Sequence, residues 1–195
     1  MRASFDRLIS WTGILLAVFL VIAAGVLWYT SSFIANEVKT QLTMQDITMP
    51  QGAALDSLPP DDKAALEPYA GSPMDTGPEA KAYADHYILV HLNNMAGGKT
   101  YSQVSAEYLA MTPEQKASPE GLQAAQLRMS MFMGNTLRGL LLFGYAFATI
   151  GTIAGYAAIG CLIGAVILLV LGILGLRHAN RLEKSGAASP PPVAV

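Results

Sequence analysis

The apolar positions of this chain gather into two long runs, with a mixed, turn-rich stretch between them. The first run is Leu8–Tyr29. The second, from Gly139 to Leu176, contains no charged residue and stops abruptly at Arg177 and His178. Its part from about Gly155 matches a full membrane-crossing helix, since about 20 apolar residues cross a bilayer core. Trp28 and Tyr29 close the first run where amphipathic rings favour the headgroup layer. Beyond them Ile34, Val38 and Leu42 recur every four residues, one stripe of a helical stalk that ends before Pro50. Residues 50–78 hold six of the eleven prolines and read as an extended connector with one helical turn near Asp61–Leu66.

Helix starts follow in quick succession. Thr76 with Glu79, Thr100 with Gln103, and Thr112 with Gln115 have the spacing of a capping box, and Ser118-Pro119-Glu120 is a weaker version. The first of these helices is expected to run to about Met95 and stop at Gly97-Gly98. Its stripe would be Tyr83, Tyr87, Val90 and Met95, broadened by Ile88 and Leu92. From Pro119 the positions Leu122, Ala125, Met129, Phe132, Thr136 and Leu140 step by three and four, one face leading into the second apolar run. No strand alternation appears, so the fold class is an all-α membrane protein, two transmembrane helices extended into an extracytoplasmic helical domain.

Composition and charge sharpen that picture. The chain is 52% hydrophobic and 13% charged, about half the charged fraction of an ordinary soluble domain. Its formal charge of -2 leaves no basic footprint for nucleic acid. The one cysteine, Cys161, excludes an internal disulfide and the usual cysteine metal sites. Arg2 and Arg7 precede the first run, and Arg177, Arg181 and Lys184 follow the second, whereas residues 31–138 are net acidic. By the positive-inside rule both termini are cytoplasmic and two spans are favoured over three. The expected order is a cytoplasmic N-terminus (1–7), transmembrane helix 1 (8–30) and an extracytoplasmic helical domain (31–138). An apolar helix (139–154) packs on that domain or at the interface, then come transmembrane helix 2 (155–176) and a basic, disordered cytoplasmic tail (177–195). The first run is longer than a signal-peptide core, and Phe33 spoils the small-residue site at Ala35, so it reads as a retained plasma-membrane anchor.

The segment 139–154 is apolar with no bilayer of its own, so it needs a protein or interfacial surface. Gly144, Ala148, Gly151, Gly155, Gly160 and Gly164 form a small-residue face that admits close helix approach. That face either packs the two spans of one chain, with Gly13, Ala17 and Ala24 opposite, or docks a partner subunit. Other candidates are weaker. His86 and His91 lie five apart, about 140° around an α-helix, and cannot clamp one ion. Met129 and Met133 share a face and are soft ligands of the kind Cu(I) takes, although methionine also fills cores and interfaces. Arg128 and Arg138 read first as interfacial anchors, with Arg138 also able to meet phosphate or a carboxylate of the outer region. No nucleophile elbow, phosphate loop, dinucleotide fingerprint or zinc-protease motif is present, and no charge interrupts either span. No catalytic, cofactor or metal residue is nominated.

The stretches TGPEAKAYADHYILVHL, GGKTYSQVSAEYLA and TLRGLLLFGYAFATIGTIAGYAAIG resemble a family of small actinobacterial two-span membrane proteins. That family is catalogued as aromatic ring-opening dioxygenase small subunit-like. The resemblance covers roughly residues 5–180 and implies a topology and an outer α-helical domain, with no catalytic residue to carry over. Ring opening of that kind uses iron on two histidines and a carboxylate, which the spacing of His86 and His91 does not supply. The expectation is therefore a non-enzymatic integral membrane protein embedded in the lipid bilayer. It is an accessory subunit of a larger membrane complex or, alternatively, an extracytoplasmic ligand- or copper-binding sensor or chaperone, with homo-oligomers left open.

Overall fold

The computed structural model describes residues 2–187. Over them the chain is all-helical, 85% helix without a strand, with two long apolar helices. The elements are α1 (Arg2–Thr43), α2 (Ala53–Asp56), α3 (Pro60–Leu66) followed by a 3-10 turn (Glu67–Tyr69), and α4 (Gly77–Tyr83). A π-helical segment (Ala84–Ile88) leads into α5 (Leu89–Ala96), then α6 (Tyr101–Ala110), α7 (Pro113–Ala117) and α8 (Pro119–Ala187). Two compact units result: the described parts of Met1–Phe33 and Gly151–Val195, and Ile34–Ile150. The tail expected to be disordered is helical as far as Ala187, and its remainder lies outside the described residues.

The first unit is an antiparallel helix pair. A Cβ built on Gly13 would lie 3.8 Å from the Leu168 carbonyl oxygen, one on Gly164 would lie 3.3 Å from Leu20, and one on Gly155 would lie 2.9 Å from the Ser31 hydroxyl. Small residues make this approach possible. Ser10, Ala17 and Ala24 on α1 are buried at seven-residue steps, as are Gly151, Ala158, Ala165, Gly172 and Ala179 on α8. Gly172 is required: a Cβ there would stand 2.7 Å from Ile14 and 3.1 Å from the Ser10 carbonyl oxygen. The large side chains point the other way, Phe19 being 66% exposed and Val166 60%. Small inside and large outside inverts the order of a water-soluble core.

The second unit has an ordinary core of Leu42, Met49, Leu55, Leu66, Met74, Ile88, Leu92, Val104, Met131 and Leu141. Much of it comes from the segment expected to be an extended connector. There α2, α3 and the 3-10 turn fold up, and Met49, Leu66 and Met74 are the largest fully buried side chains. Backbone bonds from Met49 N to Ser72 O and from Met74 N to Ile47 O, each 2.8 Å, clip the two ends of that segment together. Prolines punctuate it without extending it, because Pro60 and Pro78 sit in first helical turns where no backbone N–H is needed.

All three capping boxes form, at Thr76/Glu79, Thr100/Gln103 and Thr112/Gln115, and the Ser118 hydroxyl accepts from Gly121 N at the start of α8. Gly97, left-handed at φ 58, ends α5 where expected. The stripe on α4–α5 differs from expectation. Its deep residues are Ala80, Ala84, Ile88, Leu92 and Ala96, while Tyr83, Tyr87 and Val90 are half-buried and Met95 is exposed. Four-residue steps overshoot an α-turn by about 40°, so five such residues would wind off by about 160°. The π segment takes in one extra residue, about 100°, and keeps the stripe on one side.

The face read on the first part of α8 is its exposed side. Leu122, Met129, Phe132 and Leu140 are 51–63% exposed, and Thr136 is exposed with them. The side turned to the core carries Leu127, Met131, Gly134, Leu137 and Leu141 instead. Gly134 marks the contact with α5, since a Cβ there would lie 2.6 Å from a Leu92 methyl.

Candidate interaction faces and the ion cluster of the second unit

Arg138 lies one residue before the long apolar run, and of the partners open to it the structure gives it a carboxylate, that of Asp85. Its guanidinium donates to Asp85 Oδ1 at 2.7 Å, and Lys81 binds Oδ2 of the same carboxylate. The π segment places Asp85 there, on the flank of the stripe that packs on α8. Burial opposes ionisation of Asp85. The hydrogen bonds from Lys81 and Arg138, reinforced by their charges, prevail and hold its carboxyl below the usual range. Lys81 also stands over the Tyr145 ring at 5.5 Å. Arg138 Nε is buried without a hydrogen-bond partner. The cluster ties α4 and the π segment to α8, with two cations on one carboxylate.

Arg128 also meets residues of the second unit: its Nε donates to Ser105 Oγ at 2.9 Å and its guanidinium covers Tyr108. Glu79 is 8% exposed yet fully supplied, accepting from Asp75 N, Thr76 N and Thr76 Oγ1 at 2.8–2.9 Å and from Ser72 Oγ at 3.1 Å. His86 Nδ1 meets Asp62 Oδ1 at 2.8 Å, and His91 Nδ1 meets the Tyr87 carbonyl at 2.8 Å. Among the described residues no group of three or more His, Cys, Asp or Glu side chains is disposed to hold a metal. Met131 fills the core, while Met129 and Met133 stand one turn apart, each 57% exposed.

The six small residues nominated from the sequence serve different neighbours. Gly144 lies by Leu42, where a Cβ would be 3.8 Å from its methyl. Ala148 receives Gly77 at the start of α4: a Cβ on Gly77 would overlap the Ala148 methyl and lie 3.3 Å from Tyr145 Cα. Gly151, Gly155 and Gly164 belong to the helix pair of the first unit, and Gly160 is exposed with nothing within 4 Å of a built Cβ. The seven-residue repeat of Ser10, Ala17 and Ala24 against Ala158, Ala165 and Gly172 is the firmer signal, and the spacing was there to be read. Beside it a groove of about 580 Å³ is lined by Ile9, Ser10, Leu171 and Gly175, with Asp6 and His178 at its polar end.

What the second unit leaves uncovered is the outward side of α8. Leu140, Phe143, Phe147 and Ile150 are each more than half exposed, and the corresponding end of α1 is polar, with Glu37, Lys39 and Gln41. Apolar strips of this kind occur at protein–protein and membrane contacts. No family model, curated protein or solved structure matches the chain.

Proposed function

We propose that this chain is a two-pass plasma-membrane protein, with both termini cytoplasmic and residues 34–150 outside, that works without catalysis as an accessory subunit of a larger membrane assembly. The observation that carries this reading is the exposed apolar side of α8 ahead of its span. Support for the membrane comes from the first unit. The most hydrophobic windows of α1 and α8 are only 17% buried, against the mostly buried core helix of a soluble protein. The antiparallel register supports one bilayer for both helices: with Ser31 at Gly155, the rings of Trp28, Tyr29 and Tyr156 stand level to within a turn, as an aromatic belt requires. Residues 155–176 rise about 33 Å, the thickness of a bilayer core.

The test is affinity purification of the tagged protein from native membranes in mild detergent, beside a Phe147→Glu variant. A companion protein that is lost from the variant, with membrane insertion unchanged, supports the accessory role. Equal recovery of all companions by both proteins rejects it. The second reading, an extracytoplasmic copper site, rests on Met129 and Met133 exposed one turn apart. Metal analysis after Cu(I) loading decides it, with metal-free protein ending that reading.

A further inference from the structure

The groove beside the small-residue seam of the first unit is laid out like one leaflet of a membrane. Its lining runs from Asp6 to Gly13 on α1 and from Leu168 to His178 on α8. Over that stretch α8 rises about 15 Å, half of the roughly 30 Å bilayer core. The register sets Gly13 by Leu168 and Ser10 by Gly172 and Gly175, so Asp6 and His178 stand at one end of the groove. From there to Gly13 and Leu168 the only polar side chain in the lining is Ser10, and its hydroxyl donates to the Asp6 carbonyl oxygen. The groove is therefore apolar along its length and polar at one end.

Size and charge name the occupant. A volume of about 580 Å³ spread over about 15 Å leaves a cross-section of about 39 Å². A helix about 10 Å across needs about 79 Å², so a partner helix does not fit, whereas a single hydrocarbon chain does. We infer that the groove binds an aminophospholipid, with one acyl chain along its apolar floor and the headgroup at Asp6 and His178. The inference rests on the proposed two-pass reading, which puts this end of the helix pair at the cytoplasmic surface. The mouth carries both signs of charge: the Asp6 carboxylate on α1, and on α8 the His178 imidazole with Arg181 about one turn beyond it. A phosphodiester beside a primary ammonium matches that arrangement, the ammonium donating to Asp6 and the phosphate accepting from His178 and Arg181. A purely anionic headgroup would bring a second negative charge against Asp6, and a quaternary ammonium has no N–H to donate to it. The carboxylate thus selects among lipids that share the same tails.

Chain-brominated lipids, which quench a tryptophan they touch, test this on the full chain reconstituted in vesicles. Leu174→Trp combined with Trp11→Phe and Trp28→Phe puts the only tryptophan at the rim of the groove, where Leu174 is 54% exposed. Trp28→Phe alone leaves Trp11, which is 56% exposed and turned about 100° or more around α1 from each lining residue of that helix. Vesicles of phosphatidylcholine and phosphatidylglycerol carry, one at a time, a minor fraction of brominated phosphatidylethanolamine, phosphatidylcholine or phosphatidylglycerol. At the groove the phosphatidylethanolamine is expected to compete about fivefold better than either of the others, the worth of one hydrogen bond. At Trp11 all three are expected to quench alike. Adding Asp6→Asn to the groove reporter should remove the preference. A preference that survives Asp6→Asn, that favours phosphatidylglycerol, or that is equally strong at Trp11 overturns the inference. Equal quenching by all three lipids at both positions also overturns it and leaves the two-pass reading standing. So does a groove tryptophan that no lipid reaches while Trp11 is quenched, since protein then covers the groove. Quenching at neither position overturns both the inference and the two-pass reading.

Discussion

Asp85 shows how one side chain joins two distant parts of the chain. Its carboxylate binds Arg138, 53 residues away, and Lys81 one turn back on its own helix. A carboxyl held below its ordinary range adds stability that is complete above the unfolded value, near 3.9, and is lost as pH falls through the lower folded value. Asp85→Asn is therefore expected to cost about 2 kcal/mol at neutral pH, the worth of a hydrogen bond to a charged group. Chemical denaturation in detergent at a series of pH values checks this. The gap between wild type and variant should be constant at neutral pH and close below about pH 4. A gap that persists in strong acid would assign the loss to packing. The sequence placed Arg138 within reach of a carboxylate but did not say which, because the partner depends on how α4 lies on α8.

At the scale of elements, local signals and contact signals parted company. Every capping box was legible, since the groups that make it lie within four residues and need nothing from the rest of the fold. Thr76→Ala should cost about 1 kcal/mol, read as a lowered unfolding midpoint. The stripe of α4–α5 was not legible by a 3.6-residue rule, because the π segment changes the period partway along. The buried side of α8 was not legible either. Large apolar residues marked the outward side, while Gly134, Arg138 and Ala148 mark the inward side, where close approach or a salt bridge matters more than hydrophobicity. Position 148 consequently tests folding, not partnership. Ala148→Glu forces a carboxylate against Gly77 and should destabilise the second unit by about 3 kcal/mol, whereas Phe147→Glu should leave its stability within about 0.5 kcal/mol of wild type. Circular dichroism melts of the two variants distinguish these outcomes.

For the molecule as a whole, the two-pass reading predicts which parts face which compartment. Reporters that require the cytoplasm should be active when fused at either terminus, and Ser118→Cys should be labelled from outside intact cells by a membrane-impermeant maleimide. Labelling of Ser118→Cys only after lysis would invert the topology. The helix pair of the first unit is what the two-span reading draws on. Large apolar side chains on its outside are more than half exposed, and its inside holds small residues in close contact, the pattern expected where lipid replaces water as solvent.

The sequence by itself determined the helical class, the two apolar runs, the helix starts at Thr76, Thr100 and Thr112, the stop at Gly97, and the stalk stripe of Val38 and Leu42. Each depends on composition or on neighbours within a turn or two. Tertiary structure alone decided that the proline-rich segment supplies Leu66 and Met74 to the core, that Arg138 pairs with Asp85, and which side of α8 is left open. Those outcomes turn on shape complementarity between segments far apart in the chain. There a missing side chain at Gly77 or Gly134 sets the contact as firmly as a large one, and a hydrophobicity pattern carries no record of that.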